Sequence, residues 1–243
     1  MSRDERPLAA VPRAVWLALA AALAIQVGGH GTFASSATRA AGLPPAPDAR
    51  ALRLASLGEP AAAARLAMLY LQSFDLGGGE PPYQRLDYAR LIAWLRATLQ
   101  TDPRSSYPLF SAARLYAENK DPAKVRSMLD FIYAEFPQNP NRRWPWLAQA
   151  ALIAKHELHD LPLARRYAAA IDRLTTASDV PLWAKQMEIF ILEDMNELEA
   201  AKVMLGGLIA SGKVADAGEL RFLKQRLEEM EKRLAQRNKS SGP

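Results

Sequence analysis

Three short fragments recur at nearly even spacing and govern what this chain can fold into: Tyr107-Pro108-Leu109-Phe110-Ser111, Trp144-Pro145-Trp146-Leu147-Ala148 and Val180-Pro181-Leu182-Trp183-Ala184. Their prolines stand 37 and 36 residues apart, within the period of helical-hairpin arrays. A proline in the first helical turn is tolerated, because the N–H it lacks would have had no intrahelical acceptor. Each fragment is therefore expected to open a helix. Each opening helix runs to a polar break: Asp121-Pro122, Asp160-Leu161-Pro162, and Asn196 with Glu199 three residues on. Asp or Asn at these points would cap a second helix, reinforced by Pro or by a capping-box Glu. The second helices carry apolar stripes at three- and four-residue spacing, Val125, Met128, Leu129, Ile132 in one and Leu198, Ala201, Leu205, Leu208 in another.

Composition agrees with this reading. Hydrophobic residues make up 49% of the 243, enough to bury a core. Ala, Leu, Arg and Glu dominate while β-branched residues are sparse, which favours an all-α fold. The net charge of +5 arises from 31 Lys/Arg interspersed with 26 Asp/Glu, a solvated helical surface rather than the unbroken basic track that nucleic acid demands. With no cysteine there are no disulfides, thiolate metal sites or Cys nucleophiles, and only His30, His156 and His159 are available for histidine chemistry.

The hairpin pattern resembles the tetratricopeptide repeat (TPR) family, whose repeats begin with a large residue, a second large residue three on, and then a small one. The matching positions are Tyr107, Phe110, Ser111; Trp144, Leu147, Ala148; and Val180, Trp183, Ala184. A small residue early in the second helix recurs at Ser127, Ala164 and Ala200, each 20 residues after the leading large one. The period exceeds the family's usual one by two or three residues, and its opening-helix Tyr is replaced by Arg114, Ala151 and Met187, so the repeats are TPR-like. The resemblance covers residues 104–212, and residues 50–102 more weakly. There a helix from about Pro60 to Phe74 and another from Tyr83 to Leu99, ending at Asp102-Pro103, form an irregular first hairpin, with Gly77-Gly78-Gly79 as an insertion between them. Residues 219–235 carry Leu220, Leu223, Leu227, Met230 and Leu234 in a heptad seam, expected to cap the last hairpin; dimerisation through it is the lesser alternative. The expected fold is an all-α, stacked helix-turn-helix solenoid over residues 50–237, with a disordered tail over 238–243.

A separate segment precedes it. Arg3, Arg6 and Arg13, against Asp4 and Glu5, lead into an uncharged run from Ala14 to Val27 that extends to Phe33. Residues 14–33 number 20, about what a helix needs to cross the hydrocarbon core, and are expected to form a single transmembrane anchor. Ala34-Ser35-Ser36 before Ala37 offers a passable cleavage site, but flanks and length favour the anchor over a cleaved signal. The basic leader, residues 1–13, places the N-terminus in the cytoplasm and the body on the periplasmic side of the inner membrane. Residues 34–49, small and Pro-rich, read as a flexible linker.

Candidate chemistry is thin. Gly207 to Val214 matches the first seven positions of a phosphate-binding loop but has Val where a magnesium-binding hydroxyl is needed, and it follows a helix instead of a strand. Lys155-His156-Glu157-Leu158-His159-Asp160 gathers two imidazoles at a predicted hairpin turn, where a structural role is the simpler one. Glu188, Glu193 and Asp194 form an acidic cluster with no partner across a cleft. Asn141-Arg142-Arg143-Trp144-Pro145-Trp146 joins cations to aromatics, with Trp144 expected in the core and Arg142 and Arg143 solvated. The resemblance implies a concave groove lined by first helices, whose matching positions include Arg142, Gln149, Lys185 and Glu188. The function expected is therefore non-enzymatic: a membrane-anchored scaffold or adaptor for a protein or peptide partner in the envelope, with no cofactor, no metal and no nucleic acid. The alternatives are an envelope hydrolase acting on cell-wall polymer and a secreted carrier. Oligomeric state is left open.

Overall fold

The computed structural model describes residues 12–33, 42–73, 82–212, 214 and 216–240. The chain divides into two units, Met1–Pro44 and Pro45–Pro243. The first contains α1 (Arg13–Phe33), which presents Val15, Trp16, Leu17, Leu19, Leu23 and Ile25 to the outside. The expected anchor is thus helical, but among the described residues no helix is long and apolar enough to cross a membrane. The Ala34-Ser35-Ser36 site, Phe74, the Gly77-Gly78-Gly79 insertion and Lys213 lie outside the described residues.

The second unit is all helical among the described residues: α2 (Ala49–Ala55), α3 (Pro60–Ser73), α4 (Tyr88–Thr101), α5 (Tyr107–Ser111), α6 (Pro122–Glu135), α7 (Pro140–His156), α8 (Leu161–Leu174), α9 (Leu182–Asp194), α10 (Leu198–Ala210) and α11 (Ala217–Ser240). The helices pack in chain order as antiparallel hairpins, α3 on α4, the α5 segment on α6, α7 on α8 and α9 on α10, with α2 against the first hairpin and α11 on the last. Contacts of α4 with α5, α6 with α7 and α8 with α9 join each hairpin to the next. The core between them holds Leu71, Leu95, Tyr116, Met128, Phe131, Leu147, Tyr167, Ile171 and Leu205. Each such large apolar side chain, fully buried, contributes about 2 kcal/mol.

Capping explains where the second helices begin. Asp121 accepts from the Ala123 N–H at 2.9 Å and Asp160 from the Leu163 N–H at 2.9 Å, as expected of Asp before a helix. Asp87 does the same for α4, so that helix starts at Tyr88 and not at Tyr83, and residues Pro82–Arg85 form a separate 3₁₀ turn. Asn196 departs from its expected capping role. It has φ of +61°, the left-handed conformation that short polar side chains tolerate, and it ends α9, while Glu197 precedes α10 without a side-chain cap. His159 holds the same conformation, φ +51°, at the end of α7.

Two openings also differ from expectation. α7 begins at Pro140, a turn before Trp144, which leaves Pro145 inside the helix; Pro140 already fills the first-turn position that proline prefers. In the α5 segment, Ala112–Tyr116 is a π-helical turn, closed by Ala117 N–H donating to Ala112 O at 3.0 Å. This extra residue turns Arg114 outward and buries Tyr116, whose carbonyl accepts from the buried Tyr88 hydroxyl at 2.7 Å. The small residues Ser111, Ala148 and Ala184 are all buried on the first helices. On the second helices only Ala164 is fully buried; Ala200 is half-buried, and Ser127 is exposed with its hydroxyl donating to Ala123 O.

A polar ladder stitches one hairpin to the next at a sequence separation of 33 to 39 residues, close to the repeat length. Arg96 reaches Glu135 at 3.1 Å, Arg114 reaches Gln149 at 3.2 Å, and Arg126 reaches Asp160 at 2.7 Å. Asn141 Oδ1 accepts from the Thr176 N–H at 2.8 Å, Asp130 pairs with Arg166 at 3.1 Å, and Arg226 closes on Glu193 at 3.0 Å. Equivalent places on successive hairpins are therefore neighbours in space, as stacking requires.

Candidate functional site

The residues expected to line a groove lie on two first helices, Arg142 and Gln149 on α7 and Lys185 and Glu188 on α9. Arg142 is exposed near the start of α7, its Nη2 donating to the Arg104 carbonyl at 3.3 Å. Gln149, a later residue of α7, accepts from Arg114 of the α5 segment. Glu188 turns toward α8, where its Oε1 lies 3.1 Å from Arg165 Nε. Lys185 lines a cleft of about 580 Å³ formed by the α8–α9 connection and helices α9 and α10. Thr175, Ser178 and Ser211 place hydroxyls around this cleft, Ile189, Met204 and Leu208 give it an apolar floor, and Asp172 stands at its edge. Among the described residues no hydrogen bond or ion pair joins two of the four.

A second feature runs across the starts of the first helices. Tyr107 stacks on Phe110 with ring centroids 6.1 Å apart, and Phe110 meets Trp146 edge-on at 5.5 Å. Trp144 meets Trp183 edge-on at 5.4 Å. Trp144 and Trp146 are two positions apart on α7, about 200° around the helix, so one reaches back toward α5 and the other forward toward α9. The rings thus form an interrupted aromatic strip, one cluster between α5 and α7 and one between α7 and α9, that includes three of the chain's five tryptophans.

The strip departs from the sequence reading at Trp144. Phe110 and Trp183 match the second large position of the repeat, which Leu147 fills from the core, yet they are 42% and 52% exposed. Their first turns face the small residues Ser111 and Ala184 inward, which leaves the preceding aromatic outside. Trp144 is half-buried against Trp183 rather than enclosed in the core. Arg143, expected in solvent, is buried: it donates to the Glu135 carbonyl and faces the Glu135 carboxylate, which also binds Arg96. Burial lowers its guanidinium pKa from the ordinary value, against the pull of Glu135. The run of Trp and Tyr at helix starts was the available sequence sign of an aromatic surface; nothing local announced the burial of Arg143, whose partner lies on another helix.

The remaining candidates resolve into structural roles. His156 is exposed in the last turn of α7, and His159 forms the left-handed turn residue after it. Asp160 caps α8 and pairs with Arg126. Burial pushes the Asp160 carboxyl up, but the Leu163 N–H and the Arg126 guanidinium together outweigh it and hold the carboxyl below its usual range. Among the described residues no group of three or more His, Asp or Glu side chains is placed to hold a metal ion. Each carboxylate of the acidic cluster meets a cation: Glu188 meets Arg165, Glu193 lies between Arg226 and Arg233 of α11, and Asp194 pairs with Lys155. Gly207 sits inside α10 and Gly212, φ +66°, ends it, so these glycines form a helix terminus instead of a phosphate cradle. Burial and the neighbouring Asp130 push the Tyr167 phenol well above its usual pKa; its hydroxyl donates to Asp130 at 3.1 Å.

Comparison of the chain with family models, with curated proteins and with solved structures finds no match.

Proposed function

We propose that this chain is a membrane-anchored, TPR-like scaffold that holds a protein or peptide partner in the cell envelope and carries out no chemistry of its own. The observation that carries this reading is the strip Tyr107, Phe110, Trp146, Trp144 and Trp183, exposed or half-exposed across three hairpins. Aromatic rings of this kind give a large contact area with little side-chain entropy to lose, which is why they concentrate where proteins bind partners. Spread along a stack, they suit an extended peptide better than a compact ligand. The cleft beside Lys185 adds an ammonium and the Ser178 hydroxyl for the polar groups of the same partner.

The anchor belongs to the same proposal. It rests on the uncharged segment 14–33, helical in α1, behind a basic leader that favours the cytoplasmic side. The body then faces the periplasm. That every carboxylate of the acidic cluster is tied to a cation weighs against a hydrolase built on Glu188 or Glu193, since a general acid or base must be able to exchange its proton with substrate.

The test is an in-cell crosslinking pull-down of tagged, full-length protein from membranes. Two double variants are compared with it: Phe110→Ser with Trp183→Ser, and Arg142→Glu with Lys185→Glu. The expected result is a defined set of envelope proteins, lost from the aromatic variant and reduced in the charge variant while both remain helical. Survival of the same partners in both variants would remove the strip and the cleft from the account.

A further inference from the structure

At the α2–α3 end of the stack, several apolar side chains are exposed among the described residues. α2 buries none of its residues. Leu54, and Leu57 in the turn that follows, are 81% and 93% exposed. On α3, Ala64, Ala67, Met68 and Leu71 face inward. The opposite row should be polar in a helix that faces water. Instead it reads Ala62, Arg65, Leu66, Leu69 and Ser73, with Leu66 and Leu69 exposed.

The charges on this end decide what can cover it. Arg50, Arg53 and Arg65 are exposed on the same two helices, although Arg53 also donates to the Gln100 carbonyl of α4, while the acidic residues there are Asp48, which accepts from the Arg50 N–H to cap α2, and Glu59. A second copy meeting this face about a twofold axis would bring the two arginine sets together and is disfavoured by their repulsion. An anionic lipid surface satisfies both features, since its acyl boundary accepts the leucines and its headgroups accept the guanidinium groups. We propose that the α2–α3 face docks on the anionic interface of the bilayer. The inference rests on the anchor reading: with residues 14–33 inserted, only the 15 residues of segment 34–48 separate the bilayer from the start of α2. A docked first hairpin would orient the stack and hold the aromatic strip in a fixed attitude to the membrane.

The chain has no cysteine, so a single one can be introduced and labelled. Full-length protein carrying a polarity-sensitive dye at Leu69→Cys, or at the exposed Lys232→Cys on α11 as a control, is mixed with phosphatidylcholine vesicles with and without phosphatidylglycerol. Brominated lipid serves as quencher. The expected result is flotation with both kinds of vesicle, with a blue shift and several-fold quenching at position 69 only in those that contain phosphatidylglycerol, and no change at position 232. Adding Leu54→Glu, Leu57→Glu and Leu66→Glu should abolish the signal at 69 without preventing flotation. Flotation with a solvent-like dye at 69 overturns the docking and leaves the anchor standing. Failure to float at all overturns both. Shielding of position 69 without lipid, together with a doubled mass, overturns the docking in favour of a second copy of the chain.

Discussion

The two ends of the helical stack are made from the same hairpin and finished in opposite ways. At the C-terminal end α11 lays Leu223, Met230 and Leu234 over the last hairpin, closing a core of Ile189, Leu192, Ala201 and Leu205. Arg226 and Arg233 of α11 hold Glu193 of α9 between them, at 3.0 and 2.6 Å. At the other end α2 is a short helix with no buried residue, and α3 leaves leucines in the open. A stack of hairpins must end its core somewhere. Here α11 covers one end, while at the other the described residues of α2 and α3 leave leucines exposed.

That contrast can be broken most forcefully at the sealed end. Leu223→Ala removes a fully buried side chain and should cost about 3 kcal/mol, lowering Tm by roughly 6–12 °C in thermal unfolding followed by circular dichroism. Glu193→Gln leaves two guanidinium groups facing a neutral amide. Because both are about 36–47% exposed, the expected loss is only about 1–2 kcal/mol, read from denaturant unfolding.

The middle of the stack supplies the reference. Asp160→Ala removes a cap and an ion pair, for about 1 kcal/mol near neutral pH. Because folding lowers the Asp160 pKa, its charged form stabilises the fold above the unfolded value of about 3.9, and that contribution is lost as the pH falls through the lower folded value. Denaturant midpoints of wild type and variant should therefore draw together in acid and separate above it; a constant difference would show that the charge contributes nothing.

The smallest effect is expected at the open end. Leu66→Glu and Leu69→Glu should each change stability by less than about 0.5 kcal/mol and raise solubility. A loss comparable to that of Leu223→Ala would mean that this face is covered in the isolated protein, and the contrast between the ends would disappear.

Much of the stack could be read in advance, for local reasons. Asp121 and Asp160 announce their helices because capping involves neighbours only two or three residues away. The stripe Val125, Met128, Leu129 and Ile132 is buried as its spacing requires. Periodicity, however, says which residues share a face and not which side of a hairpin that face meets. Trp144 was therefore expected in the core and is only half-buried, against Trp183. The π-turn at Ala112–Tyr116 is invisible in composition, because one extra backbone residue leaves no chemical mark. Arg143 was misread because a buried cation is fixed by a partner, Glu135, that precedes the helix holding it. Arg142, Gln149, Lys185 and Glu188 were drawn from a family pattern; Arg142 and Gln149 both meet the preceding hairpin, at Arg104 and Arg114, while Lys185 and Glu188 lie on α9.

The most direct measurement is an in-cell photocrosslinking map of the full-length chain, with a photoreactive amino acid placed singly at Leu69, Phe110, Trp183 and Phe222. All four are exposed, and Phe222 lies on the sealing helix. The account predicts lipid adducts at Leu69, protein adducts at Phe110 and Trp183, and neither at Phe222. Adducts of one kind at all four positions, or partners captured chiefly from Phe222, would contradict it.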